Sequence, residues 1–315
     1  MSSSWLLCRS ATLRLMTTLG ILTATHGVTA AEDHPSNQEL RRQLAELALP
    51  VPHAQGFLQV GRHLQEAVAT LDAAGVDVIV AVILYPPTTN KEVKKALMEL
   101  GVLPGQLHYQ FYPVATRARI LVSRLMEAHP LLVEVMEDRL AAISERPQEE
   151  AGLFVIHGEF APGPRFYNEG SMEEKVALLR ARGRFADVRW AALHPENRVL
   201  PVARELLARG LRLLVSHGFT DRNSFTERVV PTLLAELPAG SWRYNPEPPF
   251  PHPAMRRYIL LRTAEALRDA NLLELAPAEA RALLDHYASF QPRVTLPPRA
   301  LGGSSLLGAA PVQAL

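Results

Sequence analysis

Four residues in the second half of the chain carry side chains able to hold a divalent metal and to take up protons. They are His157 and Glu159 in "FVIHGEF", His194 after "VRWAAL" and His217 closing "LRLLVS". Imidazole suits first-row divalent ions and proton transfer near neutral pH, and a carboxylate beside it can share the ion's charge or accept a proton. Each histidine follows a short apolar run that reads as a β-strand. All three therefore sit at carboxyl ends of predicted strands, beyond which open α/β sheets bind ligands. If those strands are neighbours, the side chains converge without sequence proximity. Arg165, in the loop that follows Glu159, can meet a carboxylate through paired hydrogen bonds. A strand-end histidine is also a common hydrogen-bonded scaffold residue, and taken singly His194 and His217 favour that reading. His34, His53, His63 and His108 lie in polar or helical contexts and read as solvated, while the His-Pro pairs at 129 and 252 read as helix starts.

Composition narrows the chemistry. The chain has 315 residues, 48% of them hydrophobic, and a net charge of +1. It can bury a sizeable core, and the balanced charge gives no electrostatic case for nucleic acid or an acidic membrane surface. Cys8 is the only cysteine, so a disulfide framework and a thiolate metal cage are both excluded and any metal falls to imidazole and carboxylate. Neither GxxxxGK[ST] nor a post-strand GxGxxG is present, which removes the kinase and dehydrogenase readings.

The elements that must position these residues recur. His26 and Asn37 in the first half are matched by His157 and Asn168, each 131 positions later. "LQEAVATLDAAGVDVIVAVIL" from Leu64 parallels "LPVARELLARGLRLLVSHGF" from Leu200, each a helix, a glycine stop (Gly75, Gly210) and a hydrophobic strand. "HPLLVEVMEDRLAAIS" from His129 resembles "HPAMRRYILLRTAEAL" from His252. Three blocks in the same order read as an internal duplication of an α/β unit. Alternation of short apolar runs with helical stretches predicts, in each copy, a parallel sheet with helices on both faces. Strands are expected near 19–25, 54–59 and 77–84 in the first copy and at 152–157, "VRWAALH" and 211–217 in the second. Helices are expected near 171–183, at 198–209 and from about 225. The chain divides into a leader at 1–18, lobes at 19–145 and 150–287 joined by the charged linker "SERPQEEAG", and a flexible tail at 288–315. Residues 1–30 also make a passable secretory signal, with Arg9, Arg14, and Val28 and Ala30 at the cleavage positions; that reading would delete the first strand.

Over residues 19–265 the tandem of strand-His-Gly, Asn eleven residues on, helix, strand, helix, Gly, strand and "HPLLVEVMEDR" resembles the sirohydrochlorin cobaltochelatase and ferrochelatase group of class II tetrapyrrole chelatases. The resemblance implies two chelatase-like lobes around a cleft, with the histidine ending each lobe's first strand binding metal and taking part in proton removal. That role falls on His26 and His157. It implies insertion of cobalt or ferrous iron into a sirohydrochlorin-type tetrapyrrole in cobalamin or siroheme synthesis. The metal, a substrate, would be held by His157, His194 and His217, with Glu159 assisting, Arg165 and Asn168 on the tetrapyrrole, and no organic cofactor. No nucleic-acid partner or integral membrane segment is expected, and the location is cytoplasmic, or exterior if residues 1–30 are a signal. The sequence departs from the group's pattern where further histidines and a carboxylate are usual: Gln59 and Asn90 in the first lobe, His194, Asn223 and Ser224 in the second. Asparagine and glutamine are not bases at neutral pH. The first lobe thus reads as depleted, and a non-catalytic protein of this fold that binds metal or tetrapyrrole stands as the alternative.

Overall fold

The computed structural model describes residues 17–27, 34–58, 62–88, 91–103, 113–158 and 166–295. Among them are eight strands: β1 (Leu19–Thr25), β2 (His53–Phe57), β3 (Val78–Ile83), β4 (Arg119–Val122), β5 (Glu150–Gly158), β6 (Asp187–His194), β7 (Arg212–His217) and β8 (Trp242–Tyr244). They form two sheets, ordered β2-β1-β3-β4 and β6-β5-β7-β8, with every pairing parallel. The helices are α1 (Pro35–Ala45), α2 (His63–Ala73), α3 (Lys91–Glu99), α4 (Pro130–Ala141), α5 (Phe166–Ala181), α6 (Val199–Ala208), α7 (Val230–Leu234), α8 (Pro253–Asp269) and α9 (Ala278–His286). No described helix is long and apolar enough to cross a membrane.

The interior strands are continuous apolar runs because both faces are covered. In β1 and β3, Leu19, Ile21, Val78, Val80 and Val82 face one core, while Leu22, Ala24, Ile79, Ala81 and Ile83 face the other. This is the two-residue alternation of a strand expressed within hydrophobic residues only. Residues 19–25 therefore belong to the middle of the first sheet, paired on both sides. Gly75 and Gly210 stop the helices before β3 and β7 with φ of +72° and +78°, a conformation that glycine adopts without strain. His129 and His252 cap α4 and α8, each accepting at Nδ1 the amide two residues on, with proline in the first helical position.

Packing crosses the boundary that the strands suggest. Helix α4, from the first half, sets Val133 and Leu140 among Phe154, Ile156 and Leu214 of the second sheet. Helix α8, from the second half, sets Met255, Tyr258, Ile259 and Leu261 among Ile21, Val80 and Val82 of the first. The two lobes thus exchange a helix, and α4 and α8 contact one another where they cross. The expected linker is also shorter than the sequence suggests: β5 already begins at Glu150, whose buried carboxylate accepts from the Ser144 hydroxyl and the Glu145 amide. Local donors allow a charged residue to start a buried strand. Of the expected tail, residues up to 295 are described. The amides of Arg293 and Val294 donate to the Glu174 carboxylate at 2.8–3.2 Å, and Val294 rests on Gly170, so this stretch lies along α5.

Candidate functional site

β1 and the matching β5 end in the same backbone device. Nδ1 of His26 lies 2.8 Å from the carbonyl oxygen of Gly27, and Nδ1 of His157 lies 2.8 Å from that of Gly158. A carbonyl only accepts, so each Nδ1 carries the proton and each Nε2 carries the lone pair. That tautomer suits a metal ligand or a base. Glycine is required twice over. Gly27 and Gly158 have φ of +72° and +76°, and a Cβ at 158 would fall on the carbonyl oxygen of His194, while one at 27 would meet the Cβ of Phe57 at 2.8 Å.

In the second lobe, register pairs Gly158 with His194 across β5 and β6. The His157 and His194 rings come to 4.8 Å between centroids. Phe225 stands edge-on to His157 at 4.8 Å and is stacked at 5.7 Å on Phe219. Phe225 opens a π-helical turn, Phe225–Val229, whose first amides are held by the Asn223 side-chain oxygen at 2.9 and 3.2 Å; such turns are frequent at functional sites. Burial, and then the charge of His157, hold the His194 pKa below its ordinary value. His194 is accordingly a neutral, ligand-competent imidazole at neutral pH.

His217 does not join this pair. Its Nε2 donates to the Pro246 carbonyl at 2.9 Å and its Nδ1 accepts the Phe219 amide at 3.2 Å, so both ring nitrogens are engaged by backbone. It is buried, and burial pushes its pKa down to about 4. The expectation of His217 as a metal ligand is corrected to a scaffold role: the last residue of β7 turns inward rather than over the sheet edge. Among the described residues no group of three His, Cys, Asp or Glu is arranged to hold a metal. Glu159 and Arg165 lie outside the described residues, as do Gln59, Asn90 and His108. Asn168 sits half-buried in the first turn of α5.

In the first lobe, His26 is half-buried and stacked on Tyr85, from the loop after β3, at 5.5 Å. Two histidines expected to be solvated are not. His63 is 2% exposed, with Nδ1 2.9 Å from Nη2 of Arg41. His53 bonds the Thr23 hydroxyl at 2.8 Å, and burial pushes its pKa down to about 4.

Sequence reasoning passed over Asp221, in the loop after β7. It is 5% exposed, and Nδ2 of Asn223 donates to its Oδ1 at 3.1 Å. Burial raises its pKa. The signal was available: "SHGFTDRNSF" places a carboxylate four residues past a strand-end histidine. The residue beside a recognisable histidine drew less weight than the histidine itself.

No family model matches the chain, and no curated protein matches it. Solved structures do. SirB from Bacillus subtilis with Fe3+ matches with a TM-score of 0.56 at 16% identity, covering 79% of this chain and 96% of that one. The sirohydrochlorin chelatase SirB from Bacillus subtilis subspecies spizizenii in complex with cobalt matches with a TM-score of 0.57 at 14% identity, covering 81% and 97%. DR2241 from Deinococcus radiodurans, described as a multi-domain protein with structural similarity to chelatases, matches with a TM-score of 0.55 at 18% identity, covering 86% and 60%. The chain shares the two-lobed α/β fold of these proteins.

Proposed function

We propose that the protein inserts a divalent first-row metal, Co2+ or Fe2+, into a sirohydrochlorin-type tetrapyrrole in cobalamin or siroheme synthesis. The observation that carries this reading is the His157–His194 pair, two imidazoles 4.8 Å apart at the carboxyl edge of a parallel sheet, one of them with its lone pair directed by the Gly158 carbonyl. Insertion breaks two pyrrole N–H bonds, forms four metal–nitrogen bonds and releases two protons. The pair would hold the incoming ion, and His157 and Glu159 would accept the protons as the macrocycle takes it. Phe225 and Phe219 offer an apolar wall for the face of the ring, and Arg165 and Asn168 would meet its polar periphery. The fold shared with SirB structures that hold Fe3+ or cobalt supports the reading. The chain's two sheets have the same strand order, which supports an origin by internal duplication.

One observation favours a second reading, in which the protein binds metal or tetrapyrrole without chemistry: His217, a candidate third ligand, is held by two backbone groups. The absorbance of sirohydrochlorin, followed on adding Co2+ or Fe2+ with and without protein, separates the two. A metallation spectrum that grows faster with protein in catalytic amount supports insertion. A stoichiometric spectral change with no acceleration overturns it in favour of binding.

A further inference from the structure

We propose that Asp221 is a positioning residue for substrate: by fixing the Asn223 side chain it presents the Phe225 ring to the face of a flat macrocycle at the His157–His194 pair. That the macrocycle is a tetrapyrrole rests on the metal-insertion reading above; the chain of contacts that holds the ring does not. Nδ2 of Asn223 donates to Oδ1 of Asp221 at 3.1 Å, and Oδ1 of Asn223 accepts the amides of Phe225 and Thr226 at 2.9 and 3.2 Å. The Phe225 ring then stands edge-on to His157 at 4.8 Å and to His194 at 6.2 Å. Each link from the carboxylate to the His157 ring is a direct contact.

What Asp221 decides is the direction of the Asn223 amide. A primary amide turns over about its terminal torsion at little cost, and in the wrong orientation its NH2 group would face the two amide N–H donors of the turn. An ionised carboxylate only accepts, so the NH2 group must point to Asp221 and the carbonyl oxygen to the turn. The backbone carbonyl of Asp221 lies 3.5 Å from the same Nδ2, beyond the ordinary hydrogen-bond range, and does not replace the side chain. The turn needs this hold. Phe225–Val229 is π-helical, a geometry rare outside functional sites, and its buried Thr226 is clamped again by the Tyr244 hydroxyl, which donates to the Thr226 carbonyl at 2.9 Å. Asp221 itself is 5% exposed, and its Oδ2 is buried with no hydrogen-bond partner. Packing alone does not require so costly a group. Local rules are broken in this way at functional sites, and here the exception lies four residues before the ring that faces the imidazole pair.

Two measurements on the full-length protein test this, the first with no ligand. In protein labelled at histidine, the His157 ring signal, assigned by its loss in His157→Gln, reports the neighbouring Phe225 ring through its ring current. It should move in Phe225→Leu, move likewise in Asp221→Ala, and stay in place in Asp221→Asn, which restores the acceptor oxygen. Sirohydrochlorin titrated without metal should bind Asp221→Ala about three- to tenfold more weakly than the wild type. Asp221→Asn should bind within about twofold of the wild type, and Asp221→Ala/Phe225→Leu no more weakly than the worse single variant, because both changes remove one contact. In turnover the loss should fall on KM at unchanged kcat. Asn223→Ala breaks the same chain one link further on and stands in for Asp221→Ala if that variant does not fold. An unmoved His157 signal in Asp221→Ala overturns the proposal, as does additive weakening in the double variant, or equal weakening by Asp221→Asn and Asp221→Ala. Wild-type protein that binds no sirohydrochlorin overturns the tetrapyrrole reading alone, and the histidine signal still decides the positioning.

Discussion

At the end of β5 an imidazole stands beside a second imidazole and two phenylalanine rings; at the end of β1 an imidazole held by the same turn lies against a tyrosine. The turn is common to both, down to the Nδ1–carbonyl distance of 2.8 Å. The surroundings are not. The first strand of each lobe aims a lone pair, and the residues following the second and third strands decide what that lone pair works with. Two halves can therefore keep one backbone device while dividing the chemistry between them.

The largest test of this division is on rate. His157→Ala should lower metal insertion by about a hundredfold or more, the usual loss for a positioned acid–base group, while His26→Ala leaves a measurable rate. Both need matched thermal unfolding curves. An inactive His26→Ala protein of normal stability would reverse the assignment of the lobes. The next is on stability. Gly158→Ala puts a methyl 2.0 Å from the His194 carbonyl oxygen, whereas Gly27→Ala meets the Phe57 Cβ and ring at 2.8–3.0 Å, a smaller overlap. Urea unfolding should show a loss of about 3 kcal/mol or more for the former and about 1–2 kcal/mol for the latter. Equal losses would mean that positive φ alone sets the cost.

Acid should blur the comparison. Burial lowers the pKa of His53 in the first lobe to about 4, of His217 in the second to about 4, and of His129, which caps α4, to about 3. Below the ordinary histidine pKa of 6.5 the unfolded chain takes up protons that the folded chain refuses until about pH 4. Stability is therefore full above about pH 6.5 and falls as pH drops toward 4. The unfolding temperature at pH 5 should lie on the order of 5 °C or more below that at pH 7. Fluorescence of Trp190 and Trp242, both in the second lobe, should track the far-ultraviolet signal of the whole. A pH-independent transition would show that these imidazoles are not buried as described. The smallest effect concerns the aromatic wall: Phe225→Leu removes an edge-to-face contact worth about 0.5–1.5 kcal/mol and should raise the KM for the tetrapyrrole a few-fold at unchanged kcat. A change confined to kcat would place the ring in orienting His157 instead.

Much of this was legible in residue order. The interior strands were found almost to the residue, at 19–25, 77–84 and 211–217 against Leu19–Thr25, Val78–Ile83 and Arg212–His217, because burial on both faces leaves an unbroken apolar run. The edge strands β4 and β8, four and three residues long, are too short to show a period. The sequence of α8 was recognised as a counterpart of α4, yet an apolar helix face states that it is buried and not against which sheet. At the site, the His-Gly turn was readable from its repetition, and His194 from its place at a strand end. The division between His217 and Asp221 was not. Both lie at the end of β7, and only the three-dimensional fold turns the histidine to the Pro246 carbonyl while the loop buries the aspartate against the Asn223 amide.

The exchanged helices have a consequence for the order in which the chain can be made. Once β4 has left the ribosome, Leu19, Ile21, Val78, Val80 and Val82 are all synthesised, but Met255, Tyr258 and Ile259, which cover them, lie more than 130 residues further on. At about 5–20 residues per second the first sheet waits on the order of 10 s with that face covered only in part, by Leu40 and Leu44 of α1 and then Leu131 and Val135 of α4, whereas α4 already precedes the second sheet that it covers. The nascent N-terminal half is the segment that needs a chaperone's protection, and truncation anywhere before α8 should leave an aggregating fragment rather than a free lobe.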